Sequence, residues 1–426
     1  MDHIFVNAGV KVLMDGSLGG RTALLSLPHL DDPSTNGMET IDKIEIKITV
    51  IGRGSSPGSV NRPPSHITSS LIEQAMRPMI GAYLTTRGIS NPNEARRIAS
   101  ECSEHGIDRI YLLAKDAGSS MEFKTKTCKS KVSSGFDPFG EVVRSCNDVG
   151  IQVHAWFCLY AESPSDQSDY LRSHPEALIV NRHGKSNIEQ PAWSTIGPRY
   201  SVHWVCASHE GYREYLASLM RDAIDGYEID GVHLDYVRYP EEVEGRTYCY
   251  CERCRAKLKR EYGYELPVND VIKNRYYVSV MCENVSESVE RFSEVARSGG
   301  REISAYVFTD YVTAIEACYQ DWPHFSRFLD VLCPTVYEVS PEYVKTLTKR
   351  ARSVIAPSCR LTPAIMSSDE VRRSLDGGER WSKERTPEYV LSVAKSCVDA
   401  GSDGFVLFIY DSTPHAVLDV IGDEFH

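Results

Sequence analysis

The feature that most constrains the fold of this chain is a regular alternation of strand-like and helix-like segments, which begins near residue 78. Apolar segments of strand length are followed by amphipathic segments of helix length. The predicted strands are residues 79–86, 108–116, 151–160, 230–239, 302–308, 330–338, 359–366 and 403–411. The predicted helices include residues 91–106, 136–150, 211–227, 322–329, 341–355, 386–401 and 415–426. Alternating β and α units imply a parallel sheet, and eight such units in roughly 345 residues fit a (β/α)8 TIM barrel with long loops after strands three and four.

The main alternative architecture is a doubly wound open sheet. That fold predicts a glycine-rich phosphate turn after an early strand, and the sequence has neither a G-x-G-x-x-G nor a Walker motif. Helix spacing alone does not exclude the open sheet. The barrel is therefore the expected fold, within the size range of that architecture.

The first part of the chain differs from the rest. Residues 5–16 and 43–54 show strand alternation punctuated by Gly, Asp and Asn, which predicts a small β-rich N-terminal extension over residues 1–52. Residues 53–77 form the predicted linker, because residues 53–65 are rich in Gly, Ser and Pro. The catalytic barrel is expected over residues 78–426.

Composition narrows the set of partners. The formal net charge is −12, which disfavours nucleic acid and anionic membranes because both select for basic surfaces. No apolar run approaches the ~20 residues of a membrane span. The N-terminus lacks the basic start and apolar core of a signal peptide, and most of the 13 cysteines occur singly in apolar contexts. A cytoplasmic location is expected, and export stays open if a leader has been removed.

The predicted fourth strand carries the densest set of functional side chains. The sequence DAIDGYEIDGVHLDYVRYP, residues 222–240, reads as the end of a helix, a turn, and an apolar strand that ends in polar and aromatic residues. Active sites of barrels lie at the carboxyl ends of their strands. Asp235 is therefore predicted to be a catalytic carboxylate, with His233 on the same face of the strand because side chains alternate with a period of two.

The rule that active sites lie at the carboxyl ends of strands also identifies candidate polar residues at the ends of the other predicted strands. They are Lys115, Asp116, His154, Trp156, Asp310, Tyr337, Glu338, Tyr410 and Asp411, besides His233, Asp235, Arg238 and Tyr239. This set holds no H-x-H pair and the sequence has no H-E-x-x-H motif, so a zinc hydrolase is disfavoured. Carboxylates flanked by aromatic rings suit glycoside cleavage, which needs one acid to protonate the leaving oxygen and one carboxylate to attack or to activate water.

Asp235 and Glu338 are the predicted catalytic pair, with Asp235 as nucleophile or base and Glu338 as general acid. The substrate-binding residues are expected to be Asp116, His154, Trp156, His233, Arg238, Tyr239, Asp310, Tyr337 and Tyr410. Simpler interpretations stay open for several of these residues. Asp235 could only pair with Arg238, Glu338 could only be an acid near a helix N-terminus, and Asp310 is a rival acid. His154 could be a core histidine, and Asp116 could belong to a structural ion pair.

A cysteine cluster follows the fourth strand. Cys251 and Cys254 have the spacing of half a zinc site, and Cys249 adds a third candidate ligand. No second C-x-x-C follows nearby, so a fourth ligand would have to be a remote residue or water. Structural zinc, a disulfide and free thiols are the three alternatives. A zinc ion here would shape the substrate cleft, and no cofactor is expected for the chemistry itself.

These motifs resemble a known group of proteins. The segment DGVHLDYVRYP, together with the VHAWFCLY strand at residues 153–160 and the PEALIVNRHGKS loop, resembles the bacterial glycosyl-hydrolase-like TIM barrels formerly described as a domain of unknown function. The segment VYEVSPEY, residues 336–343, is similar to the sixth strand of barrels that cut amino-sugar exopolysaccharides, such as endo-α-1,4-polygalactosaminidases. This resemblance implies a catalytic Asp on strand four and a Glu further along, which are matched here by Asp235 and Glu338.

The sequence therefore predicts a glycoside hydrolase that degrades an oligo- or polysaccharide. Two alternatives remain: a TIM barrel that binds carbohydrate without cutting it, and a lyase or transferase acting on a sugar. Carbohydrate is the expected partner, and neither nucleic acid nor membrane is. The oligomeric state, the sugar, the linkage and the stereochemical outcome are not indicated by the sequence.

Overall fold

The computed structural model describes residues 77–132, 135–186, 202–240, 249–265, 275–337, 340–368 and 385–426, and it gives backbone strands before residue 77. The chain divides into two compact units, Met1–Arg77 and Pro78–His426. In the first unit, β1 (Asp2–Val6), β2 (Val10–Met14) and β3 (Thr49–Val50) form an antiparallel sheet in the order β1-β2-β3. Residues 53–76 of the predicted linker lie outside the described ranges.

The second unit is built on a parallel sheet. Its strands are β4 (Met79–Leu84), β5 (Arg109–Lys115), β6 (Gln152–Cys158), β9 (Gly231–Asp235), β10 (Glu302–Val307), β11 (Val331–Pro334), β12 (Arg360–Leu361), β13 (Ala364–Met366) and β14 (Gly404–Phe408). Their order is β12-β11-β10-β9-β6-β5-β4-β14-β13. A separate antiparallel pair, β7 (Ala161–Glu162) and β8 (His203–Trp204), lies in the long connection after β6.

The sheet closes into a barrel at the seventh strand in chain order, which is split into the short strands β12 and β13. Strands β12 and β13 are separated only by Thr362 and Pro363, and they stand at opposite ends of the strand order. On one side, the Val336 N–H donates to the Ala364 carbonyl oxygen at 2.8 Å, and on the other the Val406 N–H donates to that of Pro363 at 2.9 Å. Pro363 interrupts one strand position because it has no N–H to donate. The barrel therefore has eight strand positions, which confirms the predicted (β/α)8 fold and not the alternative open sheet.

Helices cover the outside of the barrel. They are α1 (Pro92–Glu104), α2 (Pro138–Asp148), α3 (Asp169–Ser173), α4 (Glu210–Gly226), α5 (Glu252–Tyr262), α6 (Arg275–Ser298), α7 (Tyr311–Cys318), α8 (Trp322–Phe325), α9 (Pro341–Val354), α10 (Pro387–Asp399) and α11 (His415–Phe425). No helix in these ranges combines the length and the apolar character that crossing a bilayer requires. Helix α6 follows the long loop predicted after strand four, and neither α6 nor α7 was among the predicted helices. Helix α6 packs against α4 and α5.

Several helices begin with the same local chemistry. A short polar residue accepts a backbone N–H of the first turn, and a proline follows it at the first helical position, where no N–H is needed. The pairs are Asn91–Pro92, Asp137–Pro138, Ser340–Pro341 and Thr386–Pro387. These signals explain why the predicted starts of these helices fall within two residues of the observed ones.

Strand side chains alternate between two cores. In β4, Ile80, Ala82 and Leu84 pack between the sheet and the helices, whereas Tyr83 points into the barrel. The interior cluster is strongly aromatic and includes Tyr111 and Trp156. The barrel is thus filled by side chains, and its upper layer forms the floor of any site at the carboxyl ends of the strands.

Candidate active site

The amino-terminal layer of the barrel is an ionic cluster. Glu302, the first residue of β10, accepts hydrogen bonds from Arg109 Nη2 at 2.6 Å and from Arg360 Nη2 at 2.8 Å. His154 is fully buried, with Nε2 3.5 Å from the Glu302 carboxylate. Burial and the neighbouring Arg109 charge lower the pKa of His154 to about 3, so the imidazole is neutral near pH 7. His154 was a predicted substrate contact, but it lies at the end of the barrel opposite the site expected for barrel enzymes.

Gly231 makes room for this histidine. Strand register pairs Gly231 with His154 across β9 and β6. A Cβ atom on Gly231 would stand only 2.5 Å from the His154 ring. The glycine of the D-G-V-H-L-D segment is therefore required by packing inside the barrel.

The next layer contains His233. Its Nε2 is 2.8 Å from the Tyr83 hydroxyl, and its Nδ1 is 2.8 Å from the Ser304 hydroxyl. Ser304 also lies 3.0 Å from His154 Nδ1. A hydroxyl donates only one proton, so at least one of the two imidazoles donates to Ser304. Burial lowers the pKa of His233 well below its ordinary value, which keeps this layer uncharged.

Asp235 stands above His233 at the carboxyl end of β9. The two side chains share the interior face of the strand, as the period-two alternation predicts. Asp235 is only 7% exposed, and its Oδ2 accepts a hydrogen bond from Trp156 Nε1 at 3.0 Å. Its Oδ1 accepts from the backbone N–H of Tyr236 at 2.6 Å. Cys158 Sγ lies 3.8 Å from Oδ2.

The environment of Asp235 shifts its acidity. Burial raises the pKa of Asp235 from 3.8 to about 6, and the indole N–H of Trp156 opposes part of that rise. The following residue, Tyr236, has a φ of +50°, a backbone conformation that is uncommon for a residue with a side chain. This conformation accompanies the short hydrogen bond that fixes Oδ1. The carboxylate is thus held by two donors, one on each oxygen.

Aromatic rings surround this carboxylate. Trp156 and Tyr83 are in edge contact at 4.9 Å, and Tyr337 lies 5.1 Å from Phe408 and 6.2 Å from Tyr306 between ring centroids. Burial, followed by the charge of Asp235, raises the pKa of Tyr337 well above its ordinary value. Within the described ranges, the buried Tyr337 hydroxyl has no hydrogen-bond partner. The structure thus brings together three predicted site residues: Asp235, Trp156 and Tyr337.

Two more predicted residues follow strands β5 and β9 at their carboxyl ends. Asp116 follows β5 and is 41% exposed, with one carboxylate oxygen 3.3 Å from Lys131 Nζ and the other accepting from the Gly118 N–H at 2.6 Å. Arg238 places its guanidinium over the rings of Trp204 and Tyr236, at 5.1 Å and 5.3 Å from their centroids. The Arg238 charge lowers the pKa of Asp235, but less than burial raises it.

Three predicted residues are turned toward other parts of the fold. Tyr239 is fully buried, and its hydroxyl lies 3.3 Å from Cys206 Sγ. Asp310 is paired with Arg350 Nη1 at 2.6 Å. The Tyr410 hydroxyl donates to Glu101 on α1 at 2.6 Å. Each of these side chains has a structural partner in the direction in which it points.

Glu338 lies outside the described residues. It directly follows Tyr337 in the chain. The geometry of the predicted Asp235–Glu338 pair is therefore not described.

The sequence interpretation missed several residues at this site. Tyr83, Tyr306 and Phe408 contribute rings to the interior, and each sits at or one residue before the end of its strand. Counting inward positions along every strand would have identified them, since side chains alternate between the two cores. The interpretation also missed Cys206, which lies beside the predicted ligands Cys249, Cys251 and Cys254.

The closed barrel and its buried carboxylate among aromatic rings define a TIM-barrel protein of the glycoside-hydrolase-like class. The chain belongs to the glycosyl hydrolase-like 10 family, whose model matches residues 117–360. It is 22% identical over 227 residues to the glycosyl hydrolase DigH of Escherichia coli strain K12, covering 45% of this chain and 48% of that protein. The chain thus spans about half the length of the curated relatives it matches.

Solved structures are similar in fold. The glycoside hydrolase domain of PgaB (BpsB) from Bordetella bronchiseptica superposes with a TM-score of 0.60 at 12% identity, over 81% of this chain and 99% of that one. A β-galactosidase from the psychrophilic Marinomonas ef1 gives a TM-score of 0.57 at 11% identity, over 81% of this chain and 58% of that one. At such identities the likeness concerns the fold alone.

Proposed function

We propose that this protein hydrolyses glycosidic bonds of an oligo- or polysaccharide at the carboxyl-terminal mouth of the barrel. Asp235 acts as nucleophile or general base, and Glu338 as general acid. The observation that carries the proposal is the buried Asp235 carboxylate, held by Trp156 and Tyr236 among aromatic rings. Membership of a glycosyl hydrolase-like family supports the reaction class.

The acidity of Asp235 suits the proposed role. With a pKa raised to about 6, the side chain is mostly ionised at neutral pH and still basic enough to accept a proton from water. Donors on both oxygens hold the carboxylate in one orientation, which favours a defined direction of attack. The uncommon backbone conformation of Tyr236 is the kind of local strain that concentrates at functional sites.

Glu338 is proposed as the acid from its position in the chain. It follows Tyr337, whose buried hydroxyl is influenced by the charge of Asp235 and whose ring packs against Phe408. Glycoside cleavage requires a second carboxyl group across the scissile bond, and Glu338 is the carboxyl residue that follows β11 and Tyr337 in the chain. The Tyr337 hydroxyl, which has no hydrogen-bond partner among the described residues, would donate to a sugar oxygen or to the carboxylate.

The aromatic wall is the proposed surface for the sugar. The Tyr337 ring would pack against the apolar face of a pyranose with the buried Trp156 behind it, and the half-exposed Asp116 would contact hydroxyl groups at the rim. His233 would act indirectly, since its two nitrogens are already engaged by Tyr83 and Ser304. The matched relatives, a glycosyl hydrolase and a glycoside hydrolase domain, are consistent with a carbohydrate substrate.

A cytoplasmic location is proposed from the cysteines. None of the 13 cysteines forms a disulfide, and 12 of them are buried. Isolated buried thiols are typical of reducing compartments. Fractionation of cells that produce the native protein would test this, and recovery in the extracellular fraction would contradict it.

A glycan-panel screen with matched variants tests the function. Asp235→Asn and Glu338→Gln should each lower turnover by several orders of magnitude while far-UV circular dichroism stays unchanged. Asp310→Asn is the matched control, since the Asp310 carboxylate is engaged by Arg350, and it should retain most of the activity. Near-normal turnover in either catalytic variant would refute the assigned pair.

Product analysis separates the alternatives. A hydrolase incorporates oxygen from ¹⁸O-labelled water into the new reducing end, whereas a lyase leaves an unsaturated end and a transferase makes a new glycoside. Binding measured by calorimetry without any product would identify a carbohydrate-binding barrel instead.

A further inference from the structure

Four cysteine sulfurs converge on one buried point beside the barrel. Cys206 follows β8, Cys249 and Cys251 precede α5, and Cys254 lies in the first turn of α5. All four side chains are buried, and their Sγ atoms lie within 4.8 Å of one another. Cys206 is thus the remote fourth residue that the C-x-C-x-x-C segment lacks in the sequence.

The spacing of the sulfurs matches a tetrahedral metal site. Zinc–thiolate bonds of about 2.3 Å at tetrahedral angles place neighbouring sulfurs about 3.8 Å apart. Cys206 Sγ lies 3.8 Å from Cys251 Sγ and 3.5 Å from Cys254 Sγ. A disulfide would need a sulfur–sulfur distance of about 2.05 Å. The four sulfurs therefore converge as ligands of a common centre would.

The surroundings supply donors to these sulfurs. The backbone N–H groups of Val180 and Cys251 point to Cys249 Sγ at 3.3 Å and 3.4 Å. Asn284 Nδ2, on α6, donates to Cys254 Sγ at 3.6 Å. Donors of this kind stabilise thiolates and orient metal ligands. Four buried thiolates without a cation would be strongly unfavourable, so these four sulfurs can be thiolates together only with a cation among them.

We propose that Cys206, Cys249, Cys251 and Cys254 bind one structural zinc ion. Four protein ligands close the coordination sphere, which is characteristic of structural rather than catalytic zinc. The site uses none of the residues assigned to glycoside cleavage, so it stands apart from the proposed function.

The zinc site would hold the loops that flank Asp235. The Tyr239 hydroxyl, four residues after Asp235, contacts Cys206 Sγ at 3.3 Å. Trp204, two residues before Cys206, packs against the Tyr236 ring at a centroid distance of 5.7 Å. The metal therefore ties the connection after β6 to the connection after β9, on both sides of the carboxylate.

Metal analysis of the purified full-length chain tests the proposal. The wild-type protein should contain about one zinc ion per chain, and Co²⁺ replacing it should give the intense sulfur-to-cobalt charge-transfer absorption of a tetrathiolate site. Cys206→Ser should lose that spectrum and most of the zinc. Cys397→Ser is the matched control, because Cys397 is a buried cysteine of α10 outside the cluster, and it should retain both.

Three results would overturn the assignment. They are a wild-type chain that takes up neither Zn²⁺ nor Co²⁺, a Cys206→Ser variant with unchanged metal content, and a thiol count on the unfolded, chelated protein that reveals a disulfide. Should Cys206→Ser fail to fold, the wild-type metal content and Co²⁺ spectrum still decide the question. Asp235→Asn should keep its zinc, so failure of the proposed hydrolysis and failure of the zinc site are distinguishable.

Discussion

Replacing Asp235 with asparagine should change how the stability of the barrel depends on pH. Burial raises the pKa of Asp235 from 3.8 to about 6 in the folded protein. The folded state then binds this proton more tightly than the unfolded state, so its stability falls as pH rises between these two values. The ionised carboxylate destabilises the fold at neutral pH, and asparagine removes that penalty.

The magnitude follows from the size of the shift. A rise of the Asp235 pKa from 3.8 to about 6 corresponds to about 3 kcal/mol when pH is well above 6. The substitution also lowers stability by an amount that does not depend on pH. Asparagine offers one acceptor oxygen, whereas in the wild type the Trp156 indole and the Tyr236 N–H donate to separate oxygens of Asp235. Leaving one buried donor unpaired costs about 1–3 kcal/mol at every pH. The informative quantity is therefore the pH dependence of the difference between variant and wild type.

Urea unfolding followed by far-UV circular dichroism measures this difference. Between about pH 4 and pH 7.5, the free energy of unfolding of Asp235→Asn relative to wild type should rise by about 2–3 kcal/mol. A difference that stays flat, or that falls with pH, would refute the assigned burial of an ionised carboxylate.

Asp222→Asn provides a control of opposite sign. Burial tends to raise the pKa of Asp222, but hydrogen bonds from the Thr125 and Thr127 hydroxyls and from backbone N–H groups lower it overall. The carboxylate therefore stabilises the fold above pH 3.8, and this stabilisation is lost only as pH falls through the lower folded pKa. Asp222→Asn should be less stable than wild type from pH 4 to 7.5, with no relative gain toward neutrality.

Two further predictions concern the same barrel. The acidic limb of the kcat/KM profile should lie near pH 6. Trp156→Phe should move this limb to higher pH by about one unit, because loss of the indole N–H disfavours the ionised Asp235 carboxylate. A limb that stays in place or moves to lower pH would contradict this. In a denaturant titration, Gly231→Ala should lower the free energy of unfolding by about 1–3 kcal/mol or more, because the added methyl group overlaps the His154 ring. Gly226→Ala is the control, since the space around Gly226 is open, and it should leave the free energy of unfolding nearly unchanged.

Much of the fold could be predicted from local patterns. Each strand of the barrel is an apolar run, and residue pairs such as Ser340–Pro341 mark helix starts through the backbone chemistry of the first turn. Helix α6 was missed because it lies in a region interpreted as loop, and its packing against α4 and α5 is not a local property. The split of the seventh strand position at Pro363 likewise depends on which neighbours pair on each side.

The sequence predicted which face of a strand a site residue occupies, but not how far along the barrel axis the residue lies. Period-two alternation put His233 and Asp235 on one face, which the barrel bears out. The sequence could not tell that His154 lies in the amino-terminal layer, because depth is set by strand register and barrel tilt. Nor could it tell that Tyr410 turns outward to Glu101.

The sequence by itself determined the alternation of strands and helices, the polar end of the fourth strand, and three of the four clustered cysteines, because each of these depends on residues that are close together in the chain. Tertiary structure decided what depends on distant segments. It buried Asp235 among aromatic rings from other strands, which shifts its pKa, and it brought Cys206 to the C-x-C-x-x-C segment. Burial and convergence arise only when the sheet closes, so no local pattern records them.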